Sequence, residues 1–186
     1  MKRFAVVVCL AAAVAVTAFA LGDIKSSGVG SMIVEVTPTV AVATVVEPDI
    51  QLVQTGQVEG IITFLVEANV PNVCLYVEAS GLYLGNDPAN DQVAPIPVDT
   101  TVPAIIDPVH AQPLNGGSKL APWIGDGVPI GQYETQLTET ICFQSSQNGT
   151  FNQEVDVAIV WNQNDSDKPT GMYGGKIRLT ALVQPN

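Results

Sequence analysis

The sequence predicts an all-β chain, a two-sheet antiparallel β-sandwich with an N-terminal extension strand. Almost every periodic segment beyond residue 31 repeats with period two, the spacing at which successive side chains take opposite faces of a strand. No window carries an apolar stripe at helical spacing, and Val, Ile and Thr are abundant where helices would call for Ala, Leu, Glu and Lys. With 47% hydrophobic and only 13% charged residues, the composition suits a packed core and not a long solvated helix or a disordered tail.

In chain order, residues 1–20 read as an export signal. Lys2 and Arg3 form a basic start, Phe4 to Thr17 an apolar core, and Ala18-Phe19-Ala20 a small-x-small cleavage site, giving a mature start near Leu21. No later apolar run approaches the roughly 20 residues that a membrane-spanning helix needs, so no membrane span is expected in the mature chain. Residues 21–46 then form a linker and an extension strand. Ser26 to Ser31 is a flexible Gly and Ser tract, and from Val34 the even positions read Val34, Val36, Pro38, Val40, Val42, Thr44 and Val46. The odd positions carry Glu35, Thr37, Thr39, Ala41 and Ala43, so one face is predicted to be greasy and the other small or polar. Residues 47–186 make up the sandwich itself. Its strand candidates are Ile50 to Gln54, Val58 to Ala68, Val73 to Glu78, Gln132 to Gln144, Phe151 to Trp161 and Lys176 to Val183. In the last two, Val155, Val157, Ile159 and Trp161, and then Ile177, Leu179, Ala181 and Val183, share one face.

Residues 85–131 break the pattern with eight prolines, from Pro88 to Pro129, among Gly and Asn. Proline interrupts strand ladders, so this stretch is predicted to be an irregular excursion with one edge strand near Val102 to Ile106. It either carries function, as long loops on rigid sandwiches do, or covers a sheet edge. Gln147-Asn148-Gly149 is expected to close a hairpin, and Asn162 to Gly171 to connect the last two strands.

Removing the leader takes two of the seven Lys and Arg and none of the eighteen Asp and Glu, leaving five against eighteen and a formal charge of −13 in place of −11. Such an acidic chain does not suit nucleic acid or an anionic membrane, both of which demand cationic side chains. Cys9 departs with the leader, and the remaining even pair in an exported chain predicts a disulfide between Cys74 and Cys142.

Little in the sequence points to catalysis. Its single histidine, His110, lies between Pro108 and Pro113, the pattern of a loop residue, and no pair of carboxylates stands out. Two polar turns, Asn86-Asp87 with Asn90-Asp91 and Asn162, Asn164, Asp165 and Asp167, offer oxygen ligands but lack the spacing of a calcium-binding loop. Asn148-Gly149-Thr150 and Asn164-Asp165-Ser166 fit the glycosylation acceptor pattern. Phosphate-cradling Gly loops, metal-binding Cys and His clusters and nucleophile elbows are absent from the sequence, so no catalytic, cofactor or metal residue is assigned. Trp123 and Tyr83 are candidate exposed aromatics of a binding platform, with core packing as the alternative.

The leader, the Gly and Ser linker, the Thr39-Val40-Ala41-Val42-Ala43-Thr44-Val45-Val46 strand and the closing Gly171-Met172-Tyr173 to Val183 segment together resemble secreted fimbrial subunits of the chaperone-usher kind, including the archaic branch related to spore coat protein U. That branch tends to place a cysteine soon after its first Val-rich strand, where this chain has Glu47-Pro48. The resemblance implies an immunoglobulin-like, pilin-like sandwich and a cell-surface filament built by donor-strand exchange, served by a periplasmic chaperone and an outer-membrane usher. Val34, Val36, Val40, Val42 and Val46 would then be the inserted side chains, filling a neighbour's groove by β-augmentation. The competing expectation is a monomeric secreted binding module that keeps this strand at home, with its ligand site in the proline-rich excursion. A secreted enzyme is a third and weaker alternative.

Overall fold

The computed structural model describes residues 39–46 and 55–183. The leader, the linker, Val34, Val36 and the strand candidate Ile50 to Gln54 lie outside the described residues. Within them the chain is all-β, without an α-helix, and its strands pair antiparallel.

The described residues form thirteen strands: β1 Val40–Val46, β2 Gly56–Ala68, β3 Asn72–Ser80, β4 Tyr83–Leu84, β5 Ala104–Pro108, β6 Ala111–Pro113, β7 Leu120–Ala121, β8 Trp123–Asp126, β9 Thr135–Thr138, β10 Ile141–Ser145, β11 Phe151–Gln163, β12 Tyr173–Gly174 and β13 Ile177–Val183. One sheet runs β1-β2-β11-β5-β7. The other runs β6-β10-β3-β9-β8, with β13 on the far side of β3, and β4 with β12 forms a small ribbon.

The core lies between the two large sheets, and period-two patterning fills it. From the first sheet come Phe64 and Val66 of β2, Val155, Val157, Ile159 and Trp161 of β11, and Ile106 of β5. The second contributes Val73, Leu75, Val77 and Ala79 of β3, with Leu179 of β13. Burying each such side chain is worth roughly 1.5–3 kcal/mol. A polar bolt also joins the sheets, because the Trp161 indole donates to the Ser80 carbonyl at 2.8 Å. The Trp161 ring presses on Gly60, diagonal to it across the ladder, where an added Cβ would sit 2.9 Å from a ring carbon, so only glycine fits beneath the ring.

Several expectations need correction. The excursion at residues 85–131 is not irregular throughout: it supplies β5, β6, β7 and β8 to the two sheets, and β5 is an interior strand between β11 and β7. Proline is tolerated there because Pro103 and Pro108 fall just before and at the end of β5, where fewer ladder donors are needed. Gln147-Asn148-Gly149 does not close a hairpin, since β10 and β11 belong to different sheets and the turn carries the chain across the sandwich. Gln132 to Gln144 is two strands, β9 and β10, separated at Glu139 and Thr140.

Candidate functional site

The Val-rich segment behind the linker forms β1, and its partner is β2 of the same chain. The register runs from Val40 opposite Ala68 to Thr44 opposite Phe64, then slips so that Val46 faces Thr63. This bulge matters for the side chains. Val40, Val42 and Thr44 oppose inward-facing residues of β2, whereas Val46 opposes Thr63, whose hydroxyl donates to Asp156 on the outer face at 2.7 Å. Val46 therefore leaves the face shared by Val40 and Val42, and the single greasy face read from alternation breaks at residue 45. An extra residue in one strand reverses the alternation beyond it.

Among the described residues β1 is the outermost strand of its sheet. Six of its seven residues are exposed and Val40 is half-buried. A two-way clip closes its start: the Thr39 amide donates to the Asn69 side-chain oxygen at 2.7 Å, and the Asn69 amide to the Thr39 carbonyl at 3.3 Å. β13, the outer strand of the opposite sheet on its side of β3, lies against β1. Its inward residues Ile177, Ala181 and Val183 are only half-buried. The seam between the sheets is thus lined by apolar side chains that the core covers incompletely. A hollow of about 380 Å³ opens beside Val40, Ala68 and Thr150.

Cys74 and Cys142 occupy directly opposed positions on β3 and β10 and form a disulfide. Its place is structural, in the outer face of the second sheet. Nearby on that face is a pair that patterning did not reveal. Glu78 is only 2% exposed. It accepts from Arg178 Nε at 2.5 Å and from the Val128 amide at 2.7 Å, while Arg178 also donates to the Val128 carbonyl at 2.8 Å. The charge-assisted bond from Arg178 holds the Glu78 carboxyl below its ordinary range, against the opposing effect of burial. Together they fasten the loop after β8 over the sheet. A Glu inside the strand Asn72–Ser80, exactly one hundred residues before an Arg in the last strand, is a signal only when the pairing of β3 with β13 is known.

The other candidates are dispersed. His110 is exposed, and its backbone, not its ring, is engaged: its amide donates to Gln153 at 2.6 Å and its carbonyl accepts from Ser146 at 2.8 Å. Asp87 and Asn90 accept from the amides of Ala89 and Gln92, and Asp165 from that of Asp167, which makes these side chains turn formers. Among the described residues no three His, Cys, Asp or Glu side chains are grouped to hold a metal ion. Trp123 is half-buried against the core and donates to the Val102 carbonyl at 2.9 Å. Tyr83 packs edge-on against Tyr133 with centroids 5.5 Å apart, and burial raises its phenol pKa. Tyr83 also lines a cleft of about 640 Å³ with Pro95, Pro97, Asp126, Glu134 and Gln136. The chain matches no family profile, no curated protein and no solved structure at a significant level.

Proposed function

We propose that this protein is a structural subunit of an extracellular filament, a pilin-like sandwich that polymerises by exchanging its N-terminal strand. The observation that carries this reading is the placement of β1, an apolar edge strand with six of seven residues exposed, held by one ladder and lying on a half-covered seam with β13. When a neighbour's β1 takes the same place on β2, the ladder bonds and the packing of Val40 and Val42 are remade unchanged. Exchange therefore costs little beyond opening the strand. Where each subunit passes its strand to the next and the rotation between them does not close a ring, the exchange propagates as a fibre. In this reading Val34 and Val36 extend the exchanged segment, and a chaperone and usher would guard the open seam before assembly.

The second reading is a monomeric secreted binding module. It is favoured by the pairing of β1 with its own β2, and its ligand site would be the cleft beside Tyr83. A cysteine pair separates the two readings. Ala43 and Leu65 are opposed across β1 and β2, so the double variant Ala43→Cys, Leu65→Cys is expected to yield a ladder of covalent multimers on oxidation if the strand is exchanged. Monomers closed within themselves at every concentration would exclude exchange. Removing residues 21–46 is expected to abolish filaments seen by electron microscopy, and filaments that persist would refute the proposal. Val40→Asp or Val42→Asp should weaken assembly, more at half-buried Val40 than at exposed Val42, because a charge there replaces apolar packing along the seam.

A further inference from the structure

We infer that the outer face of the first sheet is a docking surface for a cationic polypeptide with an apolar ridge. The face turned away from the core ought to be polar, yet one row of cross-strand neighbours is apolar from end to end. Ile61 of β2 opposes Ala158 of β11, Ala158 opposes Ile105 of β5, and Ile105 opposes Leu120 of β7. Ile61 and Leu120 are each 50% exposed and Ile105 is 37% exposed. Ala158, small and only 8% exposed, is buried between them, so four adjacent strands present one apolar row whose exposed positions are Ile61, Ile105 and Leu120, where solitary exposed apolar residues would need no explanation.

The charge beside the stripe selects the partner. In the next rows along the same face stand Asp156 opposite Asp107, and then Glu154, with Lys119 paired to Asp107 as the cation there. An apolar stripe flanked by carboxylates complements an apolar ridge flanked by Lys or Arg. A second copy docked through this stripe would set carboxylate against carboxylate, and beyond the leader the chain holds five Lys and Arg against eighteen Asp and Glu. The stripe is also distinct from the β1 edge: β5 and β7 are separated from β1 by β2 and β11, so this inference stands or falls apart from strand exchange.

The test uses the full chain, expressed with its leader, and two synthetic peptides of alternating sequence, one of Leu and Lys and one of Leu and Glu. Titration calorimetry is expected to show the Leu/Lys peptide binding at least tenfold more tightly than the Leu/Glu peptide. The double variant Ile105→Ser, Leu120→Ser should weaken Leu/Lys binding at least tenfold while near-ultraviolet circular dichroism stays unchanged. Should that variant fail to fold, Leu120→Ser alone, at a half-exposed site on a two-residue strand, provides the same comparison with a smaller loss. Equal affinity for both peptides, no binding of either, or Leu/Lys binding indifferent to these substitutions, as for a peptide added at the β1 edge, would overturn the inference. So would a dimer of the parent in sedimentation that the same substitutions disperse.

Discussion

β2 has two neighbours, and they could hardly be treated more differently. β11 accompanies it over all thirteen of its residues, and the inward side chains of β11 at positions 155, 157 and 159 are wholly buried. β1 accompanies it over a shorter stretch from Thr63 to Ala68, and its Val42, Val45 and Val46 remain exposed. Both strands alternate, and both are rich in Val. The difference lies in position: β11 has partners on both sides and a second sheet beneath it, while β1 has one partner and a seam. Equal hydrophobic patterning thus yields a permanent core strand in one case and, in the proposed function, an exchangeable one in the other.

The broadest way to challenge this contrast is to weaken the whole domain and ask whether it survives. Opening Cys74–Cys142 releases a loop with a sequence separation of 68, for which chain entropy predicts a loss of about 4 kcal/mol. Denaturant titration of the double Ser variant checks this, and two freely titratable thiols in the native protein would remove its basis. Direct comparison of the two strands comes next. Ile159→Ala in β11 should cost about 3 kcal/mol through lost burial and a cavity, and Val42→Ala in β1 well under about 1 kcal/mol. Equal losses in chemical denaturation would erase the distinction.

A smaller effect should come from the fastened loop on the opposite sheet. Because the folded Glu78 carboxyl titrates below its ordinary range, its stabilisation is present at pH values above that range and fades as the pH is lowered through it. Glu78→Gln should cost about 1–2 kcal/mol near neutral pH, reduced by the partial exposure of Arg178, and the gap between parent and variant should shrink in acid. A gap constant from pH 7 to about pH 3 would show that the pair contributes nothing through charge. The smallest signal is local: β1 amides should exchange hydrogen with solvent faster than those of β11, as an edge ladder opens without global unfolding. Uniform protection across both would contradict that.

How far the sequence could be read depends on the range of the interactions involved. The alternations of β11 and β13 are long, so their inward faces were legible residue by residue, and the disulfide followed from the even pair of cysteines left once the expected leader is set aside. β6, β7 and β8 are two to four residues long, too short for period two to show, and only their pairing with β10, β5 and β9 makes them strands. The bulge at Val45 hid for a related reason, since one displaced residue leaves composition untouched while reversing the faces beyond it. Asn148-Gly149 is a true local turn, but a turn does not say to which sheet the next strand goes. Glu78 with Arg178, and the stripe from Ile61 to Leu120, required the register across strands far apart in the chain.

The bond between β3 and β10 has a mechanical meaning as well. Were a fibre of such units pulled from its ends, the stretch between Cys74 and Cys142 could not pay out. With a sequence separation of 68 at about 3.4 Å per residue, roughly 230 Å of contour is withheld from every unit. Tension would bypass that segment through a covalent rung, leaving each link short and stiff where an unlinked one would unravel.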